Sequence, residues 1–548
     1  MYMQGLANFI DDFLGGLMII SYALVVGSVL WAFVVLRVIA LDRAKDSVIL
    51  RGVKVLKLGA ISLAATVGTK LVVKGAVLAS TLGELPLDAY ANTVQFKAGL
   101  LRVILALGFL WVVKQLKQQP GQRNAWLAAA GLTVPLVISG AWLVHAVGRF
   151  ENRELLMAMT VSHQLAAAVW FGCVAQLLSL WRGARKDAEA KALWPEAIGR
   201  FAWLGLASVI LLFSTGIPLA LTYVSSWDGL FGTGYGSLIV TKIWLLLVAL
   251  GFAYLNNRAG RLWRQNHANN NIVAKVPYYI EAETFILVGI LFIAATLSSQ
   301  PPSADIPDRT AQVAEVVNMF TPRLPKIHSP THEALLAGEA GRVAVVDKVP
   351  SVAATEWSDY NHNISGIFLT SMGLVAMLSY IRRFGWAQYW PLGFIGLSIF
   401  LFFRSDAEAW PLGPIGFWES TFKNGEVFQH RIATLLAFAL GYMEIRARTN
   451  PSAQKLRYIF PMLCAFGGIL LLTHAHAEFE LKSEFLIQST HTTMGLLAMI
   501  MASGRWLELR LITPQGMVMP EGRIAGFIAI TSMFVIGNFL MFYREPLY

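Results

Sequence analysis

Apolar residues in this chain come in long, nearly unbroken runs. They lack the two-residue alternation of a half-buried strand and the one-faced stripe of a soluble helix. The first run, residues 13–36, carries only Ser21, Tyr22 and Ser28 as polar interruptions. A helix crossing a bilayer needs roughly 20 mostly apolar residues, and its backbone must satisfy itself internally. Fourteen segments fit: 13–36, 56–81, 98–116, 125–146, 159–181, 201–223, 236–256, 279–299, 364–380, 388–403, 428–444, 458–476, 485–502 and 524–542. The segments 364–380 and 388–403 are the shortest. No basic leader precedes the first run, and Asp11 and Asp12 stand beside it, so it reads as a span rather than a signal peptide. The pattern predicts an all-α fold, a polytopic transmembrane helical bundle of about 14 spans.

Loop charge sets the orientation. Every odd-numbered span is followed by a basic loop, beginning with Arg43, Lys45, Arg51, Lys54 and Lys57 after the first. Arg446, Arg448, Lys455 and Arg457 follow the eleventh, and Arg505, Arg510 and Arg523 follow the thirteenth. The alternate loops are poor in Lys and Arg or carry matching acids, as with Glu84 and Asp88. Surplus positive charge stays in the cytoplasm, so both termini are expected to be periplasmic, in a bacterial inner (plasma) membrane. Three regions follow from the same pass. Residues 1–299 form an eight-helix membrane domain, 300–358 a polar periplasmic loop, and 359–548 a six-helix C-terminal membrane domain.

Composition narrows the class further. Of 548 residues, 56% are apolar and 14% charged, against about 25% charged in soluble proteins. That excludes a disordered chain and a water-soluble globular enzyme. The net charge of +11 is explained by the cytoplasmic loops, so the bilayer and not nucleic acid is the expected partner. The two cysteines, Cys173 and Cys464, lie inside apolar runs, which excludes a disulfide framework and a Cys-rich zinc site.

The candidate chemistry lies in the histidines. Of ten, only His267 falls on the cytoplasmic side of this topology, although Lys and Arg alone set the topology. Imidazole ligates copper, zinc, iron and nickel, and thioether favours Cu(I). A first candidate group is Met157, Met159 and His163 at the outer start of span five, with His145 across a short loop. In that group one or both methionines could join His163 on Cu(I). The alternative is that the methionines are apolar lining and His163 caps a helix. A second candidate group is His362, His430, His474, His476 and His491, from spans nine, eleven, twelve and thirteen. His474 and His476 point about 200° apart on a regular helix, so both reach one ion only if that helix end unwinds. Asp406, Glu408, Glu426, Glu478 and Glu484 are placed to orient such imidazoles. The alternative is a set of interfacial histidines bonded to the outer loops.

Charges inside spans are rare and expensive. Lys70 and Lys74 share one face of span two, where they would neutralise a carboxylate or line a polar path. Lys74 and Arg102 could equally snorkel to an interface. Lys242 lies in span seven, and Glu281 and Glu283 stand at the start of span eight. No GxGxxG, P-loop, GxSxG or HExxH motif occurs, and GTGYG at 232–236 reads as a tight turn.

Four stretches resemble the copper resistance protein D (CopD) family of bacterial inner-membrane proteins. They are SHQLAAAVWFG at 162–172, GRFAWLGLASVILLFSTGIPLAL at 199–221, GTGYGSLIVTKIWLLLVALGFAYLNNR at 232–258 and ATLSSQPP at 295–302. They cover spans five to eight well and spans one to four more loosely. The resemblance implies copper import or handling in the periplasm, often beside a CopC-like copper protein. It also implies that His163, Lys242 and His145 occupy family-typical positions. LLTHAHAEFELKSEFLIQSTH at 471–491 resembles the C-terminal extension of longer members.

Two functional readings follow, neither of them enzymatic. In the first, copper is captured at the outer His and Met groups and then moved inward or delivered, for instance to a membrane cuproenzyme. Below His163 on its own span, Cys173 is the sole soft group, so binding at the outer face is better supported than passage across the bilayer. In the second, a haem b is held by His430 with His491 or His474 in a redox membrane protein. A structural subunit of a membrane complex is the remaining alternative.

Overall fold

The computed structural model describes residues 2–38, 46–265, 271–339, 351–407, 409–423, 425–473, 482–513 and 515–545. Fourteen helices carry the fourteen apolar segments. They are α1 (Tyr2–Leu30), α2 (Asp46–Leu82), α3 (Val94–Gln118), α4 (Arg123–Ile138), α5 (Arg153–Ala184), α6 (Ala188–Val224) and α7 (Gly234–Gln265). The remainder are α8 (Asn271–Ser299), α9 (Val352–Leu378), α10 (Leu392–Arg404), α11 (Gly425–Thr449), α12 (Ile459–Leu472), α13 (Lys482–Arg510) and α14 (Pro520–Met541). Among the described residues no strand forms, only two isolated bridges. The protein is all-α, and among the described residues 10 helices are long and apolar enough to cross a membrane. The other four, α2, α9, α11 and α13, carry more polar positions, such as Lys70 and Lys74 in α2 and the Gln-Ser-Thr-His run from Gln488 in α13. A multi-pass membrane protein results.

Local chemistry sets the helix ends. Thr93 caps α3 by accepting from the Phe96 N–H at 3.2 Å, and Ser351 caps α9 by accepting from Ala354 N–H at 3.1 Å. Such caps satisfy donors that a helix N-terminus otherwise leaves orphaned. Ser225, in the left-handed region at φ 61°, closes α6. In the GTGYG turn, Thr233 accepts from the Gly236 N–H at 3.0 Å just ahead of α7. The expected span 125–146 is shorter as a helix. Pro135 lies inside α4, which passes into a 3-10 turn at Ser139–Trp142, and His145 sits in a second 3-10 turn, His145–Gly148.

The chain divides into two compact units. One comprises Ile10–Ser225 and Leu245–Pro301, the other Met1–Phe9, Ser226–Trp244 and Pro302–Tyr548. In the first unit α5 packs on α6, α2, α4 and α8, and α3 packs on α2 and α4. Without a hydrophobic driving force between helices in lipid, close packing rests on small residues and internal polar bonds. Gly27 of α1 and Gly172 of α5 supply the small residues. A Cβ on Gly172 would lie 2.1 Å from the Ala23 carbonyl oxygen and 2.7 Å from the Gly27 Cα. Gln176 supplies polar bonds, donating to Ser28 Oγ at 2.7 Å and to the Gly52 carbonyl at 3.2 Å. Buried Glu283 accepts from Trp170 Nε1 at 2.8 Å and from Asn256 Nδ2 at 2.7 Å. Lys70 and Lys74 find their carboxylate in Asp11, at 3.0 and 3.7 Å. Arg102 does not snorkel. It is 4% exposed, donates to Ser139 Oγ at 2.9 Å and lies over the Tyr22 ring.

In the second unit the six C-terminal helices form a closed ring. Each of α9 to α14 packs on its sequence neighbours, and α14 returns against α9. Consecutive antiparallel helices alternate direction, so the ring has two chemically distinct ends. One gathers His362, His491 and Tyr543. The other gathers Tyr380, Glu444, Arg448, Arg457, Arg505, Glu508 and Arg523 around a cavity.

Candidate metal centre

His145, His163, His362 and His430 each have one ring nitrogen committed to an acceptor, and that commitment fixes which nitrogen keeps its lone pair in the neutral ring. His163 on α5 has Nδ1 3.0 Å from Thr215 Oγ1 of α6. The Thr215 hydroxyl already donates to the Leu211 carbonyl at 2.6 Å, so His163 must be the donor, and Nε2 holds the lone pair. His163 therefore bridges two helices. A Cβ on Gly216 would approach His163 Cε1 to 3.0 Å, so Gly216 makes room for the ring. Met159 stands four residues before His163 on continuous helix and shares its face, whereas Met157 is six residues before it and points elsewhere. His145 donates from Nε2 to the Leu297 carbonyl of α8 at 3.0 Å, which leaves the lone pair on Nδ1. Its ring also lies 6.4 Å from that of Tyr223, centroid to centroid.

In the second unit His362 on α9 donates from Nδ1 to the Ser358 carbonyl one turn earlier, at 2.8 Å. Its ring lies 4.1 Å from that of Tyr543 and 5.8 Å from that of His491 on α13, centroid to centroid. The segment after α14 wraps this end of α9: the Glu545 N–H donates to Asp359 at 2.8 Å and Lys326 sits 3.2 Å from the same carboxylate. Burial raises the Asp359 carboxyl above its ordinary value against the pull of these partners. His430, opening the apolar part of α11, holds Nδ1 2.8 Å from Asp406. Burial would raise the Asp406 carboxyl, but His430 beside it wins and holds it below the ordinary value. Histidines that ligate metals commonly donate their second N–H to a carboxylate or carbonyl, and His430 and His362 both do so.

The structure thus brings together His362 with His491, and His430 with Asp406. Glu408, His474, His476 and Glu478 lie outside the described residues. Among the described residues no group of three or more His, Cys, Asp or Glu side chains is placed to hold a metal ion. The contacts of His430 with Asp406, and of His491 with His362, lend the haem pairing no support. Sequence reasoning missed Thr215 as the orienting oxygen of His163, although it stands inside the FSTGIPLAL stretch already singled out. It also missed Asp11 as the partner of both lysines, two residues before span one as that span was first drawn.

Residues 195–297 match the Copper resistance protein D (CopD) family. The copper transport protein CutJ of Bacillus subtilis (strain 168) is 24% identical over 276 residues, which is 46% of this chain and 49% of that protein. The chain therefore spans about half the length of that relative. No solved structure matches the chain. The segment that contains Thr215, the oxygen on which His163 rests, thus lies within the copper resistance protein D match, the family indicated by the motifs of spans five to eight.

Proposed function

We propose that this protein binds copper at the periplasmic face of a bacterial inner membrane and transports or delivers it, acting as a carrier and not as an enzyme. One observation carries the reading. His163 is oriented at Nδ1 by Thr215, which lies within the copper resistance protein D match. Met159 on the same face adds a thioether, a ligand that favours Cu(I). The name of the Bacillus subtilis relative, a copper transport protein, supports the same class. In this reading all fourteen helices span, both termini lie outside, and residues 300–358 form a periplasmic loop between an eight-helix CopD-like part and a six-helix extension. A CopC-like copper protein or a membrane cuproenzyme is the corresponding exchange partner.

The His362–His491 pair is the candidate second site. Two imidazoles sharing an ion at about 2 Å from each nitrogen bring their centroids to about 5 Å at a tetrahedral angle and about 6 Å when linear, a range that includes the 5.8 Å observed. The test is anaerobic Cu(I) titration of the detergent-purified full chain against a competing chelator. His163→Ala is expected to weaken binding at least tenfold, with no Soret band in either protein. An unchanged titration would refute the assignment.

A further inference from the structure

The end of the six-helix ring opposite the histidines holds an open cleft of about 600 Å³, within the range of roughly 300–1,000 Å³ typical of small-ligand sites. Its wall comes from the last turns of α9, α11 and α13, the approach to α12, and the first turn of α14. Four arginines and two glutamates line it. Glu444, with a fully buried side chain, grips Arg448 at 2.8 Å and Arg505 at 2.7 Å. Glu508 takes the other side of Arg505 and also accepts from Tyr380. Gly526 permits this, since a Cβ there would lie 2.3 Å from Glu508 Cδ. These bonds match two arginines with two carboxylates. Arg457 and Arg523 have no acidic partner among the described residues, so the lining carries two positive charges in excess.

The hydrogen-bond ledger of the cavity is also incomplete. Arg457 Nε and Arg505 Nε are buried donors without a partner, and Glu444 Oε2 is a buried acceptor without one. Unmet buried donors of this kind are costly, and guanidinium forks fit the oxygens of phosphate in planar, paired bonds. An orphaned acceptor beside them takes a hydroxyl. Basic pockets between membrane helices are also where anionic headgroups bind.

We propose that this cavity is a binding site for a phosphate-bearing anion with a hydroxyl, either a hydrogen phosphate or the glycerol-phosphate headgroup of an anionic lipid. Arg457 and Arg523 supply the recognising charge, and the Glu444–Arg505–Glu508 network holds the receiving geometry. The site is independent of copper binding.

The test is thermal unfolding of the full chain in neutral detergent with added inorganic phosphate. In parallel, the protein is placed in nanodiscs of phosphatidylglycerol or of phosphatidylcholine, and retained lipid is counted by native mass spectrometry. Wild type is expected to be stabilised by one anion source. R457Q, R523Q and the double variant should lose that response, with at least tenfold weaker apparent affinity in the double variant. Exposed R523Q guards against misfolding of the more buried variants. Retention of phosphatidylglycerol without stabilisation by free phosphate identifies the lipid, and stabilisation by free phosphate identifies the soluble anion. No response in wild type, or an equal response in wild type and R523Q, overturns the proposal.

Discussion

Thr215 is a hydroxyl inside an apolar helix whose own proton goes back to the Leu211 carbonyl. That small bond decides the tautomer of His163 and, with it, which nitrogen can meet a metal. Removing such an orienting partner typically weakens metal affinity about 10–100-fold. Thr215→Val should therefore lower Cu(I) affinity by that factor while leaving the fold intact, and Thr215→Ser should restore it; equal affinities in wild type and Thr215→Val would show that the oxygen is incidental. Asp406 offers a second residue-scale test, through pH. Its carboxyl is held below the ordinary 3.8, so the fold gains stability from the carboxylate at pH above about 3.8 and loses it as pH falls through the lower folded value. Asp406→Asn should flatten the acid side of a stability-against-pH curve. Parallel acid limbs in the two proteins would count against the His430 contact. Side-chain partnerships of this kind were only partly legible in the sequence. Asp406 stood among five acids expected near the second histidine group, without being assigned to His430. Lys70 with Asp11 and His163 with Thr215 were not legible, because apolar patterning does not report which helix lies next to which.

Elements were the most legible level. Each apolar segment falls on a helix, because a run of about 20 apolar residues has few other ways to satisfy its backbone in lipid. The departures have local causes. The segment 125–146 overruns α4 because hydropathy does not register the 3-10 turns that follow Pro135. The segment 388–403 becomes α10 preceded by a 3-10 turn at Gly385–Tyr389, which brings the stretch to membrane-crossing length. Pairing of the helices was not legible, since it depends on where glycines face one another. α1 and α5 meet at Gly27 and Gly172 with backbone against backbone. Gly172→Leu should force those helices apart and destabilise the protein by about 1–3 kcal/mol, read as a lower unfolding temperature in detergent. The same substitution at Gly251, where a Cβ meets nothing within 4 Å, should be nearly silent. Equal effects at the two positions would mean that the contact does not organise the helix pair.

At the scale of the whole molecule, the reading depends on sidedness. In the six-helix ring the histidines and the arginine cavity occupy opposite ends, separated along α13 by the stretch from His491 to Arg505, about 21 Å at 1.5 Å per residue. That is a large part of a hydrocarbon core of about 30 Å. In the orientation expected from Lys and Arg, the arginine end would face the cytoplasm and the histidine end the periplasm. The chain is suited to a direct measurement, because its two cysteines, Cys173 and Cys464, are free and buried and should give little background to a membrane-impermeant thiol reagent. Three exposed positions sample the sides: Asp308 in the loop after α8, Lys117 at the end of α3 and Arg446 near the end of α11. In intact spheroplasts Asp308→Cys should label at once. Lys117→Cys and Arg446→Cys should label only after permeabilisation. The inverted pattern would place the histidines on the cytoplasmic side and remove the periplasmic copper reading. Labelling of Lys117→Cys and Arg446→Cys from opposite sides would show that an odd number of crossings separates them, where the present topology places eight.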